Sequence, residues 1–371
     1  MIGMTATPGT SLSPAQQAWQ RLQHHRPALF SLGILALLYL SAIVAGFIAP
    51  YHYAHEHRKR PDFYIYHPPM RLHFFDANGQ LVFPPYVHGE RLKNLARREY
   101  EETSEIYPLK FLVRGDGYTL LGPYFPSNIH FLGVDQPARL FLLGTDKLGR
   151  DIFSRILYGA RVSLFVGIAG VIILLFLGIT IGAASGYFGA MVDFSLMRLC
   201  DLFLAIPQFY LVVALVGVLP SNINNHLKFF LIVMILSGAA WASLARVIRG
   251  MVLAIKQNEY IMASKILGAS NLWIVRKHII PNMMSYLIVF VTLSLPYYIL
   301  GEITLSFLGL GINEPETSWG LMLQETLQIS VLEKHQWVLA PGIFIFITVM
   351  AFNFLGDGLR DALDPRQHHS G

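Results

Sequence analysis

The sequence predicts an all-α polytopic membrane protein with six transmembrane helices and a β-rich insert between the first and second. Three observations carry that expectation. Hydrophobic residues make up 54% of the 371 residues and charged ones only 14%, with a mean hydropathy of +0.47, an apolar excess and a charge deficit relative to a soluble domain. Six apolar runs match or approach the roughly 20 helical residues that cross a hydrocarbon core: residues 28–49, 162–188, 202–219, 229–245, 283–305 and 337–355. No Asp, Glu, Lys or Arg occurs between Arg161 and Asp193, or between Lys277 and Glu302, so the second and fifth spans do not depend on how a window is drawn.

The first span follows a tail, residues 1–27, and is too long for the core of a cleaved signal peptide; with no small-residue cleavage site behind it, it reads as an uncleaved helix. The third is interrupted by Pro207. Orientation follows from Lys and Arg beside short loops. An inside amino terminus gives the cytoplasmic side Arg21, Arg26, Arg198, Arg246, Arg249, Lys256, Lys265, Arg276, Lys277, Arg360 and Arg366, and leaves the short outer loops only Lys228 and Lys334. The expectation is a multi-pass protein of the cytoplasmic membrane with both termini in the cytoplasm. The net charge of +5 is then mostly topology signal, and no basic, aromatic-interleaved motif points to nucleic acid as a partner. Cys200 is the only cysteine, which excludes an intrachain disulfide and a thiolate metal cluster.

The connector over residues 51–140 reads as an extracytoplasmic insert, mainly β. Asn78 and Gly79 stand between two apolar strands, the signature of a tight hairpin. A second hairpin is expected around Gly115 and Gly117. The charged stretch GERLKNLARREYEETSE, free of Gly and Pro after Gly89, predicts one surface helix. His52, His55 and His57 suit a first-row metal as a residue type, but no carboxylate or Cys completes the set, so a solvated loop is the reading adopted.

The segment from Glu259 to Pro281, EYIMASKILGASNLWIVRKHIIP, is a polar, Gly-broken stretch where only a short connector is needed. Helix-compatible residues run to Leu267, Gly268 interrupts, and Leu272 to Ile280 resumes, which gives two short helices with a bend. Such a pair makes a docking surface. Ala263 and Gly268 permit close approach, Tyr260, Ile266, Leu267 and Ile274 supply apolar anchors, and Lys265 a polar rim. Pro281 marks the restart of a helix at the membrane. Glu259, Ser264, Ala269 and Ser270 complete the candidate set within the loop 250–281. An amphipathic connector lying on lipid headgroups would show the same periodicity.

Other features have structural readings. Gly144, Thr145, Asp146, Gly149, Arg150 and Asp151 form a turn and helix cap, with too few oxygen ligands for calcium. Arg150, Asp151, Arg155 and Arg161 anchor the second helix at the interface by snorkelling and ion pairing. Arg198 with Asp201, and Arg246 with Arg249, share helix faces. Gly33, Gly46, Gly167, Gly170, Gly178 and Gly182 suit close helix packing, and Pro207, Pro296 and Pro341 suit kinks. Glu302, a carboxylate in an apolar helix, is a candidate gating or substrate residue. No metal ligands are assigned.

The Glu259–Pro281 stretch resembles the cytoplasmic loop signature of ABC importer permeases: Glu-Ala-Ala, three residues, Gly, nine residues, Ile-x-Leu-Pro. Aligned on Gly268 and Pro281, Ala263 matches the first Ala, while Met262 stands for the Glu, Ser264 for the second Ala, His278 for the Ile and Ile280 for the Leu. LGTDKLGRDIFSRILYGARVSL, SGYFGAMVD, LSFLGLG and GDGLRDALDPR resemble the dipeptide, oligopeptide and nickel branch, over residues 143–366. The resemblance implies the type I ABC importer permease fold and a C-type permease subunit that forms a pore for short peptides, nickel or related small solutes. It implies as partners a paralogous permease, two ABC ATPase subunits holding ATP and Mg, an extracytoplasmic substrate-binding protein and the lipid bilayer. The chain itself is expected to be no enzyme and to hold no cofactor: it contains no Gly-Lys pair and hence no Walker A loop. The rival readings are a secondary transporter coupled through Glu302 and a receptor or scaffold working through the insert.

Overall fold

A chain segment in hydrocarbon must satisfy its backbone groups internally, so long uncharged runs close into helices. The computed structural model describes residues 14–364, apart from 60–61, 77, 95–97, 121–123 and 221–222. The tail after residue 364, with Arg366, and the first half of the amino-terminal tail lie outside the described residues.

Helix α1 (Pro14–His24) leads into α2 (Arg26–Ile43), capped by the His25 ring, and the short α3 (Ala45–Ile48). Seven strands follow: β1 (Arg58–Lys59), β2 (Asp62–Phe63), β3 (His73–Phe75), β4 (Leu81–Asn94), β5 (Glu99–Pro108), β6 (Lys110–Leu120) and β7 (Phe125–Gly133). Then come α4 (Ile152–Phe188), α5 (Ala190–Ala205), α6 (Gln208–Gly217), α7 (Asn225–Ile255), α8 (Glu259–Ile266), α9 (Asn271–Ile274), α10 (Ile280–Asn282), α11 (Met284–Phe307), α12 (Trp319–Leu323), α13 (Ile329–Lys334) and α14 (Ala340–Leu363).

Among the described residues five helices are long and apolar enough to cross a membrane, and six if α5 and α6 count as one. The predicted third span is not straight. It bends by 82° between α5 and α6, because Pro207 has no N–H to continue the α5 ladder.

The core is built on α4 against α7. Gly178, Gly182 and Gly186 recur every fourth residue along one face of α4, and a Cβ at Gly182 would stand 2.5 Å from the Ala245 carbonyl oxygen and 2.7 Å from Ile248 Cβ. Small residues thus bring the two backbones together, as in membrane helix pairs generally. Gly167 and Gly170 similarly admit Ile299 and Tyr298 of α11, and Gly46 admits Tyr118 of the insert. Gly33 has open space around it and performs no such role.

In the insert, β3, β4 and β5 form one antiparallel sheet, with β1–β2 and β6–β7 as separate ribbons. The Asn78–Gly79 turn joins β3 to β4, with Gly79 at φ +76° and the Asp76 carboxylate accepting from the Asn78 and Gln80 N–H groups at 2.9 Å. The predicted surface helix is absent from the described residues, whose place is taken by β4 and β5. Extended backbone sets Arg91 opposite Glu101, paired at 3.0 Å, and lays Tyr100 against His67 at 4.2 Å between centroids. Cross-strand charge pairs and aromatic contacts of this kind favour a hairpin over an isolated helix. Gly115 and Gly117 make no turn either. They lie within β6, where the register shifts between Arg114 and Tyr118 and a Cβ at Gly115 would meet the His130 ring at 2.7 Å.

His52, His55 and His57 sit in a packed loop. His55 Nδ1 lies 2.8 Å from Asp116, whose carboxylate also accepts from the His52 N–H at 3.0 Å. Burial opposes ionisation of Asp116, but those hydrogen bonds outweigh it and hold the carboxyl down to about 2.

Candidate coupling surface

The segment after α7 is a hairpin of short helices. Helix α8 ends in a left-handed cap at Gly268, φ +84°. The Gly268 N–H donates to the Lys265 carbonyl and the Ala269 N–H to the Ser264 carbonyl, both at 3.1 Å, the 5→2 and 6→1 pair that closes a helix at glycine. Ser270 then caps α9, its hydroxyl accepting from the Trp273 N–H. The chain does not stop at Pro281. It runs through a π-helical turn, Val275–Ile279, into α10, the wide turn accommodating a proline that cannot donate.

One face of this hairpin is fixed. Ile261, Ile274 and Ile279 are buried in the main core cluster, so Ile274 is an inward anchor and not the outward one the sequence predicts. Lys256 Nζ donates to the Gly186 carbonyl at 2.7 Å, Tyr187 donates to Asn271 Oδ1 at 2.9 Å, and Arg249 Nη2 donates to Asp193 at 2.6 Å. The other face is apolar and bare. Ile266 is 86% exposed and Leu267 87%, with Tyr260, Met262, Leu272 and Trp273 also exposed.

The structure therefore brings Tyr260, Leu267 and Gly268 to the open side, with Ala263, Lys265 and Ser270 exposed beside them and Ala269 half-buried. Glu259 starts α8, where a carboxylate faces the positive end of the helix. Ser264 turns back to the Tyr260 carbonyl at 2.8 Å. Pro281 is exposed but lies beyond the π turn. Sequence reasoning did not place Met262, Leu272 and Trp273 on this face; for Leu272 and Trp273 the legible signal was apolar residues placed just after the Ser270 cap. It also missed His278, whose ring meets Trp273 at 5.0 Å.

Glu302 is a different kind of site. Its side chain is buried and accepts from Ser163 Oγ at 3.0 Å and Ser306 Oγ at 2.6 Å. Ser163 also accepts from the Trp319 N–H at 3.1 Å, which ties α4, α11 and α12 together.

The turn into α4 is more buried than snorkelling predicts. Asp146 accepts from Arg150 Nε at 2.7 Å and also pairs with Arg155, and Arg150 reaches Glu314 at 2.8 Å. Burial opposes the Asp146 charge, yet Arg155 and Arg150 outweigh it and keep the carboxyl below its usual range. Asp151 caps α4 through the Ser154 N–H at 2.8 Å; burial pushes its carboxyl up to about 7, and the Ser154 bonds only partly offset this. Of the four predicted anchors, Arg161 alone is only half-buried, donating to the Ala42 carbonyl at 2.7 Å at the end of α2. Asp201 pairs with both Arg198, on its own helix, and Arg246 of α7.

The sequence profile of the binding-protein-dependent transport system inner membrane component matches residues 178–369, just over half of the chain. The chain belongs to that family. A profile for the N-terminal TM domain of oligopeptide transport permease C also matches residues 13–69. Among relatives, the dipeptide transport system permease protein DppC of Bacillus subtilis (strain 168) is 33% identical over 96% of this chain and 87% of its own length. The oligopeptide transport system permease protein OppC of the same organism is 41% identical over 66% of this chain and 78% of its own. The glutathione transport system permease protein GsiD of Escherichia coli O6:K15:H31 (strain 536 / UPEC) is 42% identical over 80% and 99%. This protein is thus a multi-pass permease of the C type, as its sequence motifs suggest.

Proposed function

We propose that this permease is one subunit of an ATP-driven importer for short peptides. In this reading it shares its pore with a paralogous permease, two ABC ATPases supply ATP and Mg, and an extracytoplasmic binding protein delivers the substrate. Both termini and the α8–α9 hairpin face the cytoplasm.

One observation carries the reading: an apolar face with Ile266 and Leu267 almost fully exposed sits on helices whose opposite face is locked into the core by Ile261, Ile274 and Ile279. Exposed apolar surface on a rigid support marks a protein contact site. Because the support continues into α7 and α11, closure of a bound ATPase pair would bias the helices that surround the pore. Only a contact that differs between two states can do that. Loop residues 250–281, with Glu259, Tyr260, Ala263, Ser264, Lys265, Leu267, Gly268, Ala269, Ser270 and Pro281, form the lever. The relatives' names mention dipeptides, oligopeptides and glutathione, which supports short peptides ahead of nickel.

A secondary transporter would route an ion through Glu302. The serine cage around that carboxylate does not favour it. Reconstitution of the permease pair with its ATPases in proteoliposomes separates the two. Peptide uptake is expected to require ATP and to stop when the ATPase loses its P-loop Lys. Uptake driven by an ion gradient without ATP would contradict the proposal.

A further inference from the structure

The three-stranded sheet of the insert places three metal-ligating side chains on adjacent strands. We infer that His73, His88 and Glu102 form a site for a first-row divalent cation, with zinc the best fit. The site is independent of the transport reading.

His73 of β3 stands opposite Tyr86 of β4, and His88, two residues further along β4, shares that face of the sheet. Between His88 and Glu90 the register of β5 shifts, the partner moving from Ile106 to Glu102. A bulge of this kind re-aims side chains next to it. Here the ligand atoms of His73, His88 and Glu102 all lie within 4.8 Å of one another.

The hydrogen bonding of the two rings suits a metal. His88 Nδ1 stands 3.1 Å from the Thr103 carbonyl. A carbonyl only accepts, so Nδ1 carries the proton, and in the neutral ring Nε2 then keeps its lone pair for a ligand, the arrangement found behind metal-bound imidazoles. The Nε2 of His73 is buried with no hydrogen-bond partner, and its ring is held by stacking on Tyr86 at 5.3 Å and by edge contact with His88 at 4.8 Å. A buried ring nitrogen with nothing to bond is costly; a metal would satisfy it.

Two ligands about 2 Å from a tetrahedral zinc stand about 3.3 Å apart, so small side-chain rotations close the set. Two imidazoles and one carboxylate suit zinc and its neighbours, whereas magnesium and calcium prefer oxygen alone. Glu102 is exposed, which leaves the fourth position to water or another ligand. A bound ion would pin β3, β4 and β5 to one another.

The test is zinc binding by the purified full-length chain, stripped with a chelator and titrated with Zn²⁺ against a chromogenic competitor. The protein has 14 histidines, so the comparison is between variants. His88→Ala and Glu102→Gln should each weaken the tightest zinc site by roughly ten-fold or more, while His226→Ala, at an exposed position on α7, should leave it unchanged. Equal zinc affinity in the wild type, His88→Ala and Glu102→Gln would overturn the inference. Metal-free melting curves control for folding, and should His88→Ala misfold, Glu102→Gln, which keeps the side-chain shape, decides the matter.

Discussion

Truncating Leu267 to Ala separates docking from folding. The side chain is 87% exposed in the isolated subunit and belongs to a helix cap whose hydrogen bonds are all backbone, so folding stability should change by no more than about 0.5 kcal/mol. If Leu267 is covered by an ATPase, the truncation removes about three buried carbons. At about 0.8 kcal/mol each, the loss is about 2.4 kcal/mol, a complex weaker by about 50-fold. The assay titrates the nucleotide-free ATPase onto the immobilised permease pair and follows melting of the permease in parallel. Ile261→Ala gives the opposite pattern, because that side chain is only 3% exposed and its loss should cost about 2–4 kcal/mol of stability. Unchanged ATPase affinity in Leu267→Ala, with unchanged melting, would refute the assignment of this face.

Three further predictions test the supporting structure. Gly182→Leu should lower the melting temperature in detergent and reduce membrane-inserted protein, since even a Cβ meets the Ala245 carbonyl at 2.5 Å, whereas Gly250→Ala, with nothing within 4 Å, should be neutral. Asp151 has a folded pKa raised from 3.8 to about 7, so its contribution is full below the unfolded pKa and is lost as pH rises through 4 to 7. Asp151→Asn, which keeps a cap acceptor, should therefore gain on the wild type on the order of 4 kcal/mol between pH 4 and 8; parallel melting curves across that range would contradict this. Glu302→Gln should keep peptide uptake while Glu302→Ala loses folded protein, because the carboxylate accepts from two buried serines; loss of uptake by a well-folded Glu302→Gln would return that residue to a coupling role.

The long apolar helices were legible because their runs contain no charge apart from Glu302, and the hairpin because Gly268 and Ser270 are cap residues in the right order. What the sequence could not convey depends on distant partners. Arg150 reads as an interfacial anchor until Glu314, 164 residues away, is found beside it. The stretch around Arg91 and Glu101 is charged and free of Gly and Pro, which fits an exposed helix or an exposed strand equally; opposing residues across the β4–β5 pair decided it. Ile274 and Leu272 are both apolar and two apart. Only the packing of α9 on the core shows that the first is buried and the second exposed.

Cys200 is the only cysteine and is buried, so a Cys200→Ser background allows one reporter thiol on the hairpin. In reconstituted complexes carrying Ile266→Cys, the account predicts a crosslink to the ATPase whose yield changes with ATP, and labelling by an impermeant thiol reagent only from the side where the ATPase sits. Labelling solely from the opposite side, with no crosslink to the ATPase, would contradict it.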